Sequence, residues 1–128
     1  MKTIFYLSFC LIIALQSCAQ KPTGYINVSS DSLNTLLKDE HGILIDVRTP
    51  EEYAAGHIPG AININYNDPK FEDGLDTLNK ELVYEVYCRS GGRSELSVET
   101  MSKMGFKNIY HLENGILEWE KKGLPIVR

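Results

Sequence analysis

The chain of 128 residues is 43% hydrophobic and 23% charged, with a formal net charge of −4 at neutral pH. Its length suggests one domain, and an acidic balance without a basic run argues against a nucleic-acid partner. An anionic substrate would therefore need a local cationic site.

The first stretch does not read like the rest. Met1-Lys2-Thr3 is a short basic start, Ile4–Leu15 (IFYLSFCLIIAL) is an apolar core, and QSCAQKP follows with small and polar residues. That is the layout of a secretory signal, too short for a comfortable membrane span. Within it, LQSC (Leu15–Cys18) resembles a bacterial lipobox, whose cysteine is lipidated and becomes the mature N-terminus. Gln16 departs from the usual box, and cleavage after Ser17-Cys18-Ala19 is the competing reading. The expected division is 1–17 as signal peptide, 18–24 as a linker carrying Pro22 and Gly24, and 25–128 as the folded domain. The protein is thus expected to be exported, to the periplasm or cell envelope, with a lipid anchor on Cys18 holding it to a membrane. With Cys10 inside the signal and Cys18 acylated or terminal, Cys88 is the one thiol left to the domain, and no internal disulfide is possible there. An unpaired cysteine in an exported protein needs a reason, since oxidising compartments pair thiols or remove them.

Along the domain, YINV (Tyr25–Val28) suits a brief strand, and SSDSLNTLLKDE a capped helix with Leu33, Leu36 and Leu37 on one face. GILIDV (Gly42–Val47) is a continuous apolar run ending near an acid, as a strand buried on both faces would be. Thr49, Pro50 and Glu52 spell a helix start, with Thr49 as N-cap, proline at the first helical position and a capping-box glutamate; Gly56 stops that helix. Pro59-Gly60 turns into a short strand, Ala61 to Ile64, and the polar stretch after it holds one irregular helix around Phe71 to Leu78. LVYEVY (Leu82–Tyr87) is a strand, Ser94–Met104 a helix with Gly105 at its C′ position, KNIYHL a last strand and NGILEWEKK a last helix. Strands alternating with helices predict a single doubly wound α/β domain, a parallel sheet with helices on both faces. In such folds ligands sit beyond the carboxyl ends of the strands, where Cys88 falls.

The stretch YCRSGGRS (Tyr87–Ser94) carries the chemistry. Strand, glycine-bearing loop and helix place a row of backbone N–H groups around one point, with the helix's positive end behind them. A sulfur at the first loop position lies in that field, which favours thiolate over thiol. Arg89 and Arg93 are expected to add fixed positive charge, and Gly91 and Gly92 to allow the backbone to turn its amides inward.

CRSGGRS, with ILIDVRTPEEYAAGHIPGAININ before it and MGFKNIYHLENGILEWEKKGLPI after it, resembles a single-domain rhodanese, of the sulfurtransferase family, over almost all of residues 25–127. The resemblance implies a rhodanese-like fold in which Cys88 accepts a sulfane sulfur from a small anionic donor such as thiosulfate and passes it to cyanide or another thiophilic acceptor. It implies that Arg89, Ser90, Gly91, Gly92 and Arg93 cradle the persulfide. Asp46 and Arg48, with Ser94, are expected to support the loop. A protein persulfide or a redox partner in the cell envelope is the alternative partner. No general base is required if the cradle already makes a thiolate, and no cofactor is expected. No Cys/His cluster suggests a metal.

Phosphatases and arsenate reductases also seat a cysteine in such a loop, but with one more residue between cysteine and arginine than the Cys-x4-Arg found here. A non-catalytic binding or redox-partner module is the other alternative, and retention of Cys88 argues against it. His57 is expected to brace its turn through a backbone hydrogen bond, and Trp119, Met101 and Met104 to be core. Glu85, in the middle of the strand leading to Cys88, is expected either to be paired or to lie near an edge.

Overall fold

The computed structural model describes residues 24–40 and 42–128; the expected signal peptide, the expected lipobox with Cys18 and most of the expected linker lie outside them. Among the described residues, five strands form one parallel sheet: β1 (Ile26–Val28), β2 (Gly42–Asp46), β3 (Ile62–Asn63), β4 (Val83–Tyr87) and β5 (Asn108–Leu112), in the order β1-β5-β4-β2-β3. Among the same residues, five helices connect or follow them: α1 (Ser30–Lys38), α2 (Pro50–Ala55), α3 (Phe71–Asp76), α4 (Gly92–Lys103) and α5 (Gly115–Lys121). The doubly wound expectation holds.

Alternation along each strand sends side chains to two separate cores. On one face Ile45, Val86 and Cys88 meet Phe71 and Leu75 of α3 and Val98 and Met101 of α4. On the other, Leu44 and Tyr87 meet Leu33 of α1, Tyr53 of α2 and Ile116 and Trp119 of α5. Each such large apolar side chain contributes about 1.5–3 kcal/mol on burial. Trp119 also donates its ring N–H to the Pro125 carbonyl at 2.8 Å, tying the C-terminal segment down.

This arrangement fixes where a site can be. The helix following β2 packs on one face and the helix following β4 on the other. The two strands are neighbours, so their carboxyl ends splay their connections apart and open a crevice.

Some boundaries differ from expectation. β3 pairs over only Ile62 and Asn63. α4 begins at Gly92, two residues before Ser94, because Gly91 takes a left-handed conformation (φ 108°) as its N-cap without any side-chain cap. Glu85 departs most. It lies within the central strand, buried at 2% exposure, and its Oε2 has no hydrogen-bond partner among the described residues. It is therefore neither at an edge nor fully paired, yet the strand stands. Its carboxyl sits in the space that any side chain at Gly42 would occupy, so the glycine makes the room. Burial pushes the Glu85 pKa up against a smaller opposing hydrogen bond from its own amide, favouring the neutral acid.

Candidate active site: a thiol in an amide cradle

Cys88 follows β4 directly and is 1% exposed. Its Sγ accepts a hydrogen bond from the Gly91 amide at 3.1 Å and another from the Ser94 hydroxyl at 3.3 Å. Burial alone would raise the thiol pKa, but the Ser94 hydroxyl and the amides of Ser94, Gly91 and Ser90 outweigh it, leaving Cys88 below an ordinary thiol.

The cradle is held from outside. At Gly91 an added Cβ would run into the Glu113 carbonyl oxygen, so a left-handed φ and a close backbone approach both demand glycine there. Gly115 (φ 67°) is constrained in the same way against Arg89 and Ser90. The first turn of α5 donates the Ile116 amide to the Cys88 carbonyl at 2.9 Å and the Leu117 amide to that of Arg89 at 3.1 Å.

Asp46 and Arg48 stand beside the cradle at the end of β2. The Arg48 guanidinium forks onto the Asp46 carboxylate with contacts of 2.7 and 3.0 Å and donates to the Gly56 carbonyl at 2.7 Å. Burial opposes the Arg48 charge and the hydrogen bond to Asp46 outweighs it. The Tyr87 ring lies 5.7 Å from that guanidinium and its hydroxyl accepts the Ile58 amide at 3.1 Å. Burial first, then Asp46, pushes the Tyr87 pKa far up, so the phenol stays neutral. His57 is placed as expected, with Nδ1 at 2.9 Å from the Tyr53 carbonyl and its ring stacked on Tyr53 at 3.7 Å.

The two loop arginines, both expected to add fixed positive charge, are not equivalent in their surroundings. Arg89 is exposed. Arg93 forks onto Glu52 at 2.6 and 2.9 Å, so its charge is largely answered by a carboxylate of the protein. The Arg93 hydrogen bonds hold the Glu52 pKa down at about 2 against burial, helped by Thr49. Glu52 at once completes the Thr49 capping box and clamps the loop.

Two residues behind Ser94 have no local sequence signature. His111 on β5 places Nε2 2.7 Å from Ser94 Oγ, and its Nδ1 lies 2.8 Å from Asn27 Oδ1 on β1. Among the described residues no three His, Cys, Asp or Glu side chains gather as a metal site requires.

A parallel α/β domain with a thiol in a six-residue amide cradle at the switch point defines a class of cysteine-dependent group-transfer proteins. The chain belongs to the rhodanese-like family of sulfurtransferases: residues 29–122 match the rhodanese-like domain. A sulfurtransferase of Allochromatium vinosum is 35% identical over 101 residues, covering 78% of this chain and 92% of its own. A rhodanese-related protein of Thermoplasma volcanium superposes with a TM-score of 0.72 at 31% identity, covering 80% of this chain and 98% of its own. A tRNA uridine(34) hydroxylase of Buchnera aphidicola is 36% identical over 114 residues covering 80% of this chain. The chain spans about a third (34%) of that relative's length.

Proposed function

We propose that the protein is a thiosulfate sulfurtransferase-like enzyme working through a persulfide on Cys88. The observation that carries this reading is the sulfur's environment: a buried thiol whose pKa is lowered by a hydroxyl and three amides is a ready nucleophile. The Cys88 thiolate attacks the outer sulfur of a donor such as thiosulfate. A new S–S bond forms at Sγ, the donor's S–S bond breaks, and sulfite leaves with the bonding pair. Cyanide or a thiolate then attacks the outer sulfur of the persulfide and returns Cys88 as thiolate. The amides that serve the thiolate also serve the terminal sulfur's charge, and exposed Arg89 meets the incoming anion. Asp46, Arg48 and Tyr87 hold the neighbouring strand end in place.

Export and lipidation at Cys18 belong to the same proposal, supported by the apolar run Ile4–Leu15 ahead of that cysteine. A Cys18→Ala variant that still partitioned with membranes would overturn the anchor. A small anionic donor is the favoured partner because the cradle is lined by amides and the exposed Arg89 stands beside it. A protein persulfide would use the same chemistry.

Mass spectrometry of the protein after thiosulfate treatment tests the reading. One added sulfur atom is expected on Cys88, removable by cyanide and absent in Cys88→Ser, whose cyanide-dependent turnover should fall by at least a thousandfold. No adduct on the folded protein, alongside specific capture of an envelope protein, would replace the enzyme by a binding module.

A further inference from the structure

Four side chains from neighbouring elements follow one another contact by contact: Cys88 after β4, Ser94 on α4, His111 on β5 and Asn27 on β1. Parallel pairing of β1 with β5 sets Asn27 directly beside His111 in register. The separations are 3.3 Å from Sγ to Ser94 Oγ, 2.7 Å on to Nε2, and 2.8 Å from Nδ1 to Asn27 Oδ1. Cys88, Ser94 and His111 are all buried, while Asn27 reaches the surface.

We propose that His111, acting through Ser94 and oriented by Asn27, holds the proton that Cys88 gives up. The proposal rests on Cys88 being the nucleophile, and it adds where the proton goes.

A serine hydroxyl has one proton to donate, and an amide oxygen has none. With Cys88 as thiol, Sγ–H donates to Ser94 Oγ, the Ser94 O–H donates to Nε2, and Nδ1–H donates to Asn27 Oδ1. With Cys88 as thiolate, the Ser94 O–H turns from the Gly91 carbonyl, 3.1 Å away, and from Nε2 to sulfur, Nε2–H donates to Oγ, and with the Asn27 oxygen facing the ring Nδ1–H still donates to it. The imidazole is then cationic. The two states differ by one S–H and one O–H bond broken, one O–H and one N–H bond formed, and no electrons moved. No heavy atom needs to shift.

The groups facing His111 bear on its charge. Tyr25 meets its ring edge-on at 6.0 Å, and Ser94 and Asn27 hold its two nitrogens. Burial lowers the His111 pKa, while Glu95 on α4, Glu113 after β5 and the Gly91 backbone oppose that shift. A solitary imidazolium is thus disfavoured. The cation forms in step with the Cys88 thiolate, so the two titrate as a pair.

The test follows the Cys88 thiolate by its rate of alkylation with iodoacetamide across pH, and the His111 ring by nitrogen NMR. Ser94→Ala and His111→Phe are each expected to slow alkylation at pH 7 by roughly tenfold and to move the midpoint upward. The double variant should match Ser94→Ala, because His111 acts only through the serine. Asn27→Leu, at an exposed strand position, should shift the midpoint in the same direction by less. In the wild type the ring should become cationic as Cys88 ionises, and in Cys88→Ser it should stay neutral over the same range. A ring that remains neutral while Cys88 ionises would overturn the relay without depending on any variant's folding. So would an alkylation profile of a folded His111→Phe that superimposes on the wild type. If thiosulfate loads no sulfur on Cys88 but the ring still takes up the proton, the sulfur-transfer reading falls and the relay stands.

Discussion

Cys88 and Glu85 are three positions apart on the same central strand run, both almost fully buried and both acids. Their pKa values move in opposite directions, that of Cys88 down and that of Glu85 up. Burial raises both, so burial cannot be what separates them. The difference is directed donors: the sulfur receives a hydroxyl and several amides at the carboxyl end of the sheet. The carboxyl leans over Gly42 at the amino end of β2, with Oε2 unanswered among the described residues. A strand interior favours the neutral form of an acid, and a strand end followed by a glycine loop favours its anion.

The comparison is broken most severely at Gly91. Gly91→Ala would force a Cβ into the Glu113 carbonyl and strain a left-handed φ, turning the amides away from sulfur. Sulfur loading in a single turnover should slow by about tenfold to a hundredfold, and chemical denaturation should show a loss of about 1–3 kcal/mol. A variant loading sulfur at the wild-type rate would mean the amides matter little.

Glu85 sharpens the contrast from the other side. Because its folded pKa is raised, its contribution to stability is intact below the unfolded value of about 4.5 and is lost as pH rises through the folded value. Glu85→Met, which keeps length and removes the carboxyl, should therefore stabilise the protein by about 1–3 kcal/mol at pH 7. The gain should shrink at pH 4. Thermal melts at the two pH values read this directly, and an equal gain at both would refute the protonation account.

The smallest expected effect is at Glu52. Glu52→Gln should release Arg93 to face the incoming anion, lowering the KM for thiosulfate by about two- to fivefold, at a stability loss near 0.5–1 kcal/mol for a partly exposed pair. With its folded pKa lowered to about 2, Glu52 supports the fold above its ordinary value of 4.5 and ceases to as pH falls towards 2. The wild-type advantage in melting should fade over that window. An unchanged KM would show that Arg93 is not held back by its partner.

What the sequence made legible was whatever the chain states locally. Thr49, Pro50 and Glu52 announced the start of α2 because a capping box closes within four residues. Gly91 and the strand before it located the cradle for the same reason. Arg93's partner was hidden because Glu52 lies 41 positions away and was already explained by its cap. His111 was hidden more deeply: its meeting with Asn27 spans 84 positions and exists only because β1 crosses to pair with β5. Glu85 misled because a carboxylate in a central strand argues for a partner, and the vacancy beside it is supplied by a glycine on the neighbouring strand.

The packing of the β5–α5 turn against the cradle has one more consequence. Gly91 abuts Glu113, Gly115 abuts Arg89 and Ser90, and α5 grips the carbonyls of Cys88 and Arg89. The turn acts as a mould whose bore is set by backbone, which does not yield as side chains do. Adding a residue to the cradle would require widening that mould too. A switch in anion size is therefore a two-segment change, and lengthening the loop alone should cost the fold before it wins a new ligand.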